Sequence, residues 1–254
     1  KAHRLLVPAH ADMKRAVTLI LCAFILTSCH AAAEPDKSEP GTSLSDVSVC
    51  SMFPKESALP DDNASAPEIA EPENDAPVDI SIYIPRIAVD LKYASADNFT
   101  GERIYSFDKA FLRYGTAMKL KKAQSLLSEL GLTLVVWDAF RPISAQQRFW
   151  EICSDPTYVA DPSKGVSKHS RGSAVDLTLA DTDGAELEMP SGFDDFSSRA
   201  DRDYSDVSVQ AAENAKLLER IMTECGFNAY SGEWWHYTDT DNYPPLTDES
   251  FINN

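Results

Sequence analysis

Apolar residues recur at helical spacing in three segments of the chain. Apolar positions three and four residues apart predict helices over 116–130, 144–153 and 209–225. Gly131 and Gly226 lie where a left-handed residue commonly ends a helix, and Ser144 is the predicted N-cap of the middle helix. The two longer segments are therefore expected to be amphipathic helices that pack one face against a core.

Other apolar residues alternate with polar ones or form short continuous runs, which are typical of strands. Such runs predict strands over 79–84, 87–93, 132–137 and 174–179, followed by an aromatic-rich strand region over 227–237. Helices and strands do not alternate as regular βαβ units. This order favours an α+β fold over a doubly wound parallel sheet.

The segment that begins at Met13 has the pattern of an export signal. Met13 and two basic residues precede an apolar run over 16–26, which is shorter than the roughly 20 residues that span a bilayer. The run ends in Leu-Thr-Ser-Cys at 26–29, which resembles the lipobox of bacterial lipoproteins. We expect residues 1–28 to hold upstream residues and a lipoprotein signal peptide, with Met13 as the start and Cys29 as the lipidated residue. Cleavage by ordinary signal peptidase and a buried helix are the alternatives.

Residues 29–77 have the composition of a tether. They are rich in Pro, Ser, Ala and acidic residues and poor in aromatic ones, so they cannot bury enough apolar surface to offset the entropy of ordering. We expect an extended, disordered linker, followed by a folded domain over 78–254. The folded domain would then be extracytoplasmic and anchored to the bacterial membrane only through Cys29.

Charge excludes one class of partner. The chain carries 23 basic and 40 acidic residues, a net charge of −17. Binding to nucleic acid phosphates needs a basic face, so no nucleic acid partner is expected.

The predicted folded domain contains Cys153 and Cys225. An exported protein can form a disulfide, but connectivity cannot be deduced from sequence. A bridge and two free thiols both stay open.

The histidines of the predicted folded domain lie in two short segments. Only His169 and His236 occur after residue 78, each in a polar segment that also contains glycine and an acidic residue. Catalytic zinc takes three protein ligands and leaves a position for water. His169, Asp176 and His236 would complete such a site, and Glu233 would remain for proton transfer. His169 must then lie in a turn before the 174–179 strand, with Gly172 allowing the turn. The alternative is that each histidine is a hydrogen-bonded loop residue.

Several separated blocks resemble the VanX-type D-alanyl-D-alanine dipeptidases, a zinc D,D-peptidase family that also contains VanY-type D,D-carboxypeptidases. The resemblance extends over about 80–245. The blocks are LKYA at 91–94, DNFTG at 97–101, WDAFRP at 137–142, SKHSRGSAVDLTL at 167–179, FD at 193–194, GFNAY at 226–230 and EWWHY at 233–237.

The resemblance implies a role for each matched position. It implies a single compact α+β domain with a central, mostly antiparallel sheet flanked by helices. The family's ligands for one Zn²⁺ per chain fall on His169, Asp176 and His236, its base on Glu233, and its essential arginine on Arg141. The residues near the substrate's ammonium fall on Ser167 and Asp194, and a small length change would make Asp195 the relevant acid. A structural ion pair with Asp138 is the alternative role for Arg141.

The implied activity is hydrolysis of D-alanyl-D-alanine to two D-alanines, in cell-wall turnover or glycopeptide resistance. The partner is therefore a small D-amino-acid dipeptide, and the sequence predicts no oligomeric state. Two other functions remain open. One is a D,D-carboxypeptidase that removes terminal D-Ala from peptidoglycan stem peptides, and the other is a non-catalytic zinc-containing module that binds the wall.

Overall fold

A computed structural model describes residues 71–156 and 158–253 of the chain. The predicted leader, Cys29 and nearly all of the predicted tether lie outside the described residues. No helix within those ranges combines the length and the apolar character needed to cross a bilayer. The helices are α1 (Ile80–Tyr83), α2 (Tyr114–Glu129), α3 (Ile143–Ile152) and α4 (Val209–Glu224). The strands are β1 (Pro77–Asp79), β2 (Ala88–Val89), β3 (Phe111–Arg113), β4 (Thr133–Asp138), β5 (Ala174–Ala180), β6 (Phe227–Ala229) and β7 (His236–Asp239).

The centre of the fold is a five-stranded sheet in the order β2-β4-β5-β7-β6. Only β2 and β4 run parallel, and the remaining neighbours are antiparallel. Helices α2 and α4 pack against each other and against this sheet, while β1 and β3 form a separate antiparallel pair. The predicted α+β class with a mostly antiparallel sheet flanked by helices is confirmed.

Strand β5 lies in the middle of the sheet, and all seven of its residues are buried. Successive side chains of a strand point to opposite faces. Val175, Leu177 and Leu179 belong to the apolar core, so Asp176 and Thr178 share the other face. This alternation places the polar chemistry of β5 on one side of the sheet.

The two long helices follow their predicted bounds closely. Helix α2 begins two residues before the predicted start, and Gly131 follows it with φ +72°. Ser208 caps α4 by accepting a hydrogen bond from the backbone N–H of Ala211 at 3.0 Å, and Gly226 follows the helix with φ +93°. Helical spacing of apolar residues was sufficient for both helices because each buries one long face.

The predicted strand over 79–84 is wrong, since only Asp79 of that segment belongs to a strand. The Asp79 carboxylate accepts a hydrogen bond from the backbone N–H of Ser81 at 3.0 Å and starts the short helix α1. Ile80 and Ile84 are buried whereas Ile82 is 74% exposed. The burial period is therefore four residues and not two. Apolar residues at 80, 82 and 84 fit both periods, and the aspartate cap decides between them.

Three further expectations are corrected. The strand predicted over 87–93 is limited to β2, and its last part forms a 3-10 turn, Lys92–Ala94, that buries Tyr93. Helix α3 begins at Ile143 with Pro142 in the cap position, so Ser144 does not cap it. The region over 227–237 is two strands joined by a turn.

Both candidate partners for a disulfide are free thiols. Cys225 is buried and Cys153 is half-buried.

Asp239 at the end of β7 attaches α2 to the sheet. Its fully buried carboxylate accepts hydrogen bonds from the Thr116 hydroxyl, at 2.5 Å, and from the Lys119 ammonium.

Removing one partner of a buried ion pair leaves the charge of the other without compensation. We expect Asp239→Ala to lower the free energy of unfolding by about 3 kcal/mol, measured by urea denaturation. Asp241→Ala is the matched control, because Asp241 is 63% exposed and binds the same lysine. Its cost should stay under about 1 kcal/mol, and equal costs for the two variants would contradict this account.

Candidate metal centre

Three side chains with metal-ligand chemistry meet at the middle of the five-stranded sheet. Asp176 of β5 lies opposite His236 of β7 in the strand register, and the turn before β5 brings His169 to the same place. One donor atom from each side chain lies within 4.8 Å of the others. The structure thus brings together the three residues that the sequence indicated as ligands.

The turn that carries His169 has the predicted construction. His169–Arg171 form one 3-10 turn, and Gly172 follows in the left-handed region with φ +67°. A Cβ atom at Gly172 would lie 3.0 Å from Leu246 Cδ1 and 3.3 Å from the backbone nitrogen of Arg113. Glycine is needed here for both its backbone conformation and its lack of a side chain.

The distances among the three side chains suit one small ion. His169 Nε2 lies 3.2 Å from His236 Nδ1. Asp176 Oδ1 lies 2.8 Å from His236 Nδ1, and its Oδ2 lies 3.4 Å from His169 Nε2. A tetrahedral ion bound at about 2.0–2.1 Å separates its ligands by about 3.3 Å. The three donors already have nearly this arrangement.

Hydrogen bonds behind the histidines decide which ring nitrogens face the cluster. His169 Nδ1 lies 2.8 Å from the Ala139 carbonyl oxygen, to which its N–H donates, so Nε2 is left as the ligand atom. His236 Nε2 lies 3.1 Å from Thr238 Oγ1, which leaves Nδ1. Such outer partners orient metal-binding histidines. Two oriented imidazoles and one carboxylate form a donor set that fits zinc.

The buried carboxylate of Asp176 depends on its neighbours for its charge. Burial alone would raise its pKa, but attraction to His169 and hydrogen bonds to both imidazoles outweigh burial and hold the pKa far below the ordinary value. Burial lowers the pKa of His169, and the attraction of Asp176 more than reverses this, so the net shift is upward. The pair therefore favours an ionised carboxylate, which is the form that binds a metal.

Glu233 lies in the turn between β6 and β7, next to the three candidate ligands. Its Oε2 is 3.9 Å from His236 Nδ1, and its side chain is half-buried. Burial raises the pKa of Glu233, although His236 partly offsets this effect. A carboxyl whose pKa is raised toward neutrality can both accept and return a proton.

Arg141 makes the ion pair with Asp138 that the sequence left as an alternative, and it also faces the cluster. Its Nη2 lies 2.6 Å from Asp138 Oδ2 and 3.8 Å from Asp176 Oδ2. Its guanidinium lies over the rings of Tyr93 and Phe149, at 5.5 and 5.0 Å from the centroids. Burial lowers the pKa of Arg141, but Asp138 and other neighbours raise it well above the ordinary value. The arginine is thus a fixed positive charge at the wall of the site.

A cavity of about 360 Å³ opens onto the cluster. Its wall includes Ser167, Asp194, Glu233 and Arg141, so every residue with a predicted catalytic or substrate role borders one space. The Tyr93 hydroxyl donates a hydrogen bond to Asp194 Oδ2 at 2.9 Å. Burial is the main cause that raises the pKa of Asp194 to about 7.

The structure distinguishes Asp194 from Asp195. Asp194 borders the cavity and has a backbone φ of +54°. Asp195 accepts a hydrogen bond from the backbone N–H of Ser197 at 2.7 Å and is absent from the cavity wall. Asp194 is therefore the acid that a molecule in the cavity would meet.

Comparison with known proteins identifies the family. The family model described as D-ala-D-ala dipeptidase matches residues 73–253, which is most of the chain. The chain belongs to the D-Ala-D-Ala dipeptidase family. A protein named D-alanyl-D-alanine dipeptidase from Escherichia coli K12 is 42% identical over 174 residues, covering 68% of this chain and 90% of that protein. One of the same name from Enterococcus faecium is 38% identical over 61% of this chain and 87% of its own length.

Solved structures show a weaker likeness. A zinc complex of a mutant form of VanY, a D,D-pentapeptidase of vancomycin resistance, is 17% identical over 54% of this chain and 76% of its own, with a TM-score of 0.35. At this level the likeness does not bear on the chemistry of the site.

In this member of the D-Ala-D-Ala dipeptidase family, three residues near the site have no role predicted from the sequence. They are Tyr93, Gln146 and Thr238. Tyr93 contacts both Arg141 and Asp194, and Gln146 accepts a hydrogen bond from Arg141 at 2.9 Å. Tyr93 lies inside a block that resembles the family, which was the one available signal. Trp234 and Trp235 of the EWWHY block are both buried.

We expect His236→Ala to lose zinc, because it removes one of three ligand atoms and leaves two that cannot enclose the ion. The purified wild-type chain should hold about one zinc per chain, and the variant should bind it more than about 100-fold more weakly, measured by elemental analysis after dialysis. Glu233→Ala is the matched control, since Glu233 borders the cluster without belonging to it. Full zinc occupancy in His236→Ala would remove His236 from the ligand set.

Proposed function

We propose that this chain is a zinc-dependent dipeptidase that hydrolyses D-alanyl-D-alanine to two D-alanines. The observation that supports this most strongly is the convergence of His169, Asp176 and His236 beside Glu233. One zinc ion per chain would be held by these three side chains. The family and the names of the relatives support the choice of substrate.

Zinc, when bound, supplies Lewis acidity that polarises a carbonyl and makes water a nucleophile near neutral pH. Glu233 accepts the proton from the attacking water at Oε2 and returns it to the leaving amine of the second D-alanine. One carboxyl can do both because its pKa is raised toward the working pH.

Arg141 stabilises the negative charge that develops on the carbonyl oxygen. Its guanidinium is held in place before substrate arrives, by Asp138 on one side and by Gln146 on another. Such preorganised charges are worth about 2.7–4 kcal/mol to a transition state. The ion pair with Asp138 is thus compatible with a catalytic role, since it fixes the orientation of the guanidinium.

Asp194 binds the free ammonium of the dipeptide, with Ser167 on the same cavity wall. An ammonium would stabilise the ionised form of this carboxyl and so gain a charge-assisted hydrogen bond. This contact favours a dipeptide with a free amino terminus over the stem peptide of a D,D-carboxypeptidase, whose corresponding nitrogen is an uncharged amide.

We expect Asp194→Asn to lower kcat/KM for free D-Ala-D-Ala about 10- to 100-fold, mainly through KM, because a charged hydrogen bond is lost. In the wild type, KM should rise as pH falls through about 7, where the Asp194 carboxyl becomes protonated and neutral. The variant should lack this rise. Steady-state rates over a pH range from about 5.5 to about 8.5, which brackets that pKa, measure both effects.

The control for that series is Asp195→Asn, which removes an acid outside the cavity wall and should leave KM unchanged. An N-acetylated dipeptide should be a poor substrate for the wild type. Equal rates on N-acetylated and free dipeptide, or faster cleavage of stem peptides, would favour the carboxypeptidase. Glu233→Ala should hydrolyse none of them.

We propose further that the enzyme is extracytoplasmic and lipid-anchored at Cys29. The basic start, the apolar run over 16–26 and the Leu-Thr-Ser-Cys at 26–29 support this. An enzyme in that location would meet dipeptide released from the wall, which favours a role in wall turnover.

In a bacterial host, labelled palmitate should be incorporated into the full chain and not into Cys29→Ser. The lipid is attached to the Cys29 sulfur as a thioether and to the new N-terminus at residue 29. Neither attachment forms when Cys29 is replaced. Cys50→Ser is the matched control and should be labelled like the wild type. Equal labelling of Cys29→Ser would contradict the anchor.

A further inference from the structure

A second cavity lies beside the catalytic one, and no role described so far uses it. It measures about 440 Å³, within the range of small-molecule sites. Thr178 borders it and lies two residues beyond Asp176 on the same face of β5. Asp194 and Phe99 border both cavities, so the two spaces share one wall.

The hydroxyl of Thr178 is the first sign that this cavity is built for a ligand. Thr178 is 0% exposed, and its Oγ1 has no hydrogen-bond partner among the described residues. Leaving a buried polar group unpaired costs about 1–3 kcal/mol. Valine has the same shape and avoids this cost, so the Thr178 hydroxyl is a candidate contact for a ligand in the cavity that Thr178 borders.

The charges of the wall are the second sign. The Lys92 ammonium pairs with Asp90 Oδ2 at 2.5 Å on one side and lies 5.7 Å above the ring of Trp137 on another. The Trp137 indole N–H donates to Glu186 Oε1 at 3.1 Å. No described residue forms a hydrogen bond with the second carboxylate oxygen of Glu186. Asp97 and Asp194 add two further acids. The wall therefore offers carboxylates for an ammonium, one ammonium for a carboxylate, and an apolar indole surface.

We propose that this second cavity binds a small zwitterionic amino acid, with D-alanine as the ligand. Its ammonium would meet the carboxylates of Glu186 and Asp194, and its carboxylate would meet Lys92. Its methyl group would contact Trp137 and Leu187, which border the same space. The Thr178 hydroxyl would also contact the ligand.

The choice of D-alanine rests on the proposed function, since the reaction releases two molecules of it beside this cavity. Asp194 would then contact a ligand on either side. An amino acid in the second cavity withdraws the Asp194 carboxylate from the dipeptide ammonium and weakens dipeptide binding, without occupying the catalytic cavity. D-Alanine should therefore raise KM to a plateau, whereas simple competition by product raises it without limit.

Equilibrium dialysis of labelled D-alanine against the zinc-loaded full chain tests the site. In Glu233→Ala saturated with uncleaved D-Ala-D-Ala, one D-alanine per chain should still bind. Adding Thr178→Val should weaken that binding about tenfold, and Thr178→Ser, which keeps the hydroxyl, should retain it. D-Lactate has no ammonium and should not compete.

The proposal is overturned if the dipeptide-saturated protein binds no D-alanine, or if Thr178→Val binds as well as Thr178→Ser. Glu186 is exposed and provides a second test. Glu186→Gln should bind D-alanine more weakly, and this result does not depend on whether Thr178→Val folds. In wild type KM should reach a plateau with D-alanine, and in Thr178→Val the same plateau should be reached only at about tenfold higher D-alanine. A chain that binds D-alanine as expected but hydrolyses no dipeptide would refute the proposed function and leave the site standing.

Discussion

The carboxylate of Asp176 is the group on which the rest of the site depends. A buried negative charge is costly unless it is paired, and Asp176 lies at the centre of the sheet, where two imidazoles and one guanidinium approach it. Each of those groups must be held in place by something else. His169 is oriented by the Ala139 carbonyl, and His236 by Thr238. The groups that compensate the buried charge of Asp176 are therefore themselves held in position by further hydrogen bonds.

A row of polar residues crosses three strands at this level. Asp138 of β4 lies opposite Asp176 of β5, which lies opposite His236 of β7. The register of β4 shifts between Val136 and Asp138, and this irregularity brings Asp138 into the row. Its buried carboxylate accepts hydrogen bonds from Arg141 and from the Tyr105 hydroxyl, the latter at 2.8 Å. This register shift in β4 thus positions Asp138 and, through it, the arginine, as irregularities near active sites commonly do.

Sequence reasoning predicted those parts of this arrangement that have local signals. Helices α2 and α4 were predictable because each buries one long apolar face, and the ligand set because the folded part holds only two histidines. Helix α1 was missed because apolar residues at 80, 82 and 84 fit a strand as well as a helical turn. The bond from Tyr93 to Asp194 joins residues 101 positions apart, and the register shift in β4 depends on its neighbours. Contacts of this kind are decided by tertiary packing, and one sequence carries no spacing that reveals them.

The charges of the catalytic cavity explain why it would need both a metal and a substrate ammonium. Asp176, Asp194 and Glu233 border the cavity, while the charge of Arg141 is already matched by Asp138. Burial, together with repulsion by Asp176, raises the pKa of both Asp194 and Glu233. A divalent cation and an ammonium together balance three carboxylates, so binding of each makes ionisation of the remaining acids easier. The substrate's carboxylate then needs a cation of its own, and Lys168, between Ser167 and His169, borders the cavity at an exposed position. A zwitterion paired with one divalent ion balances every charge on this wall, whereas a neutral or N-blocked peptide leaves the Asp194 carboxylate without a positive charge to pair with.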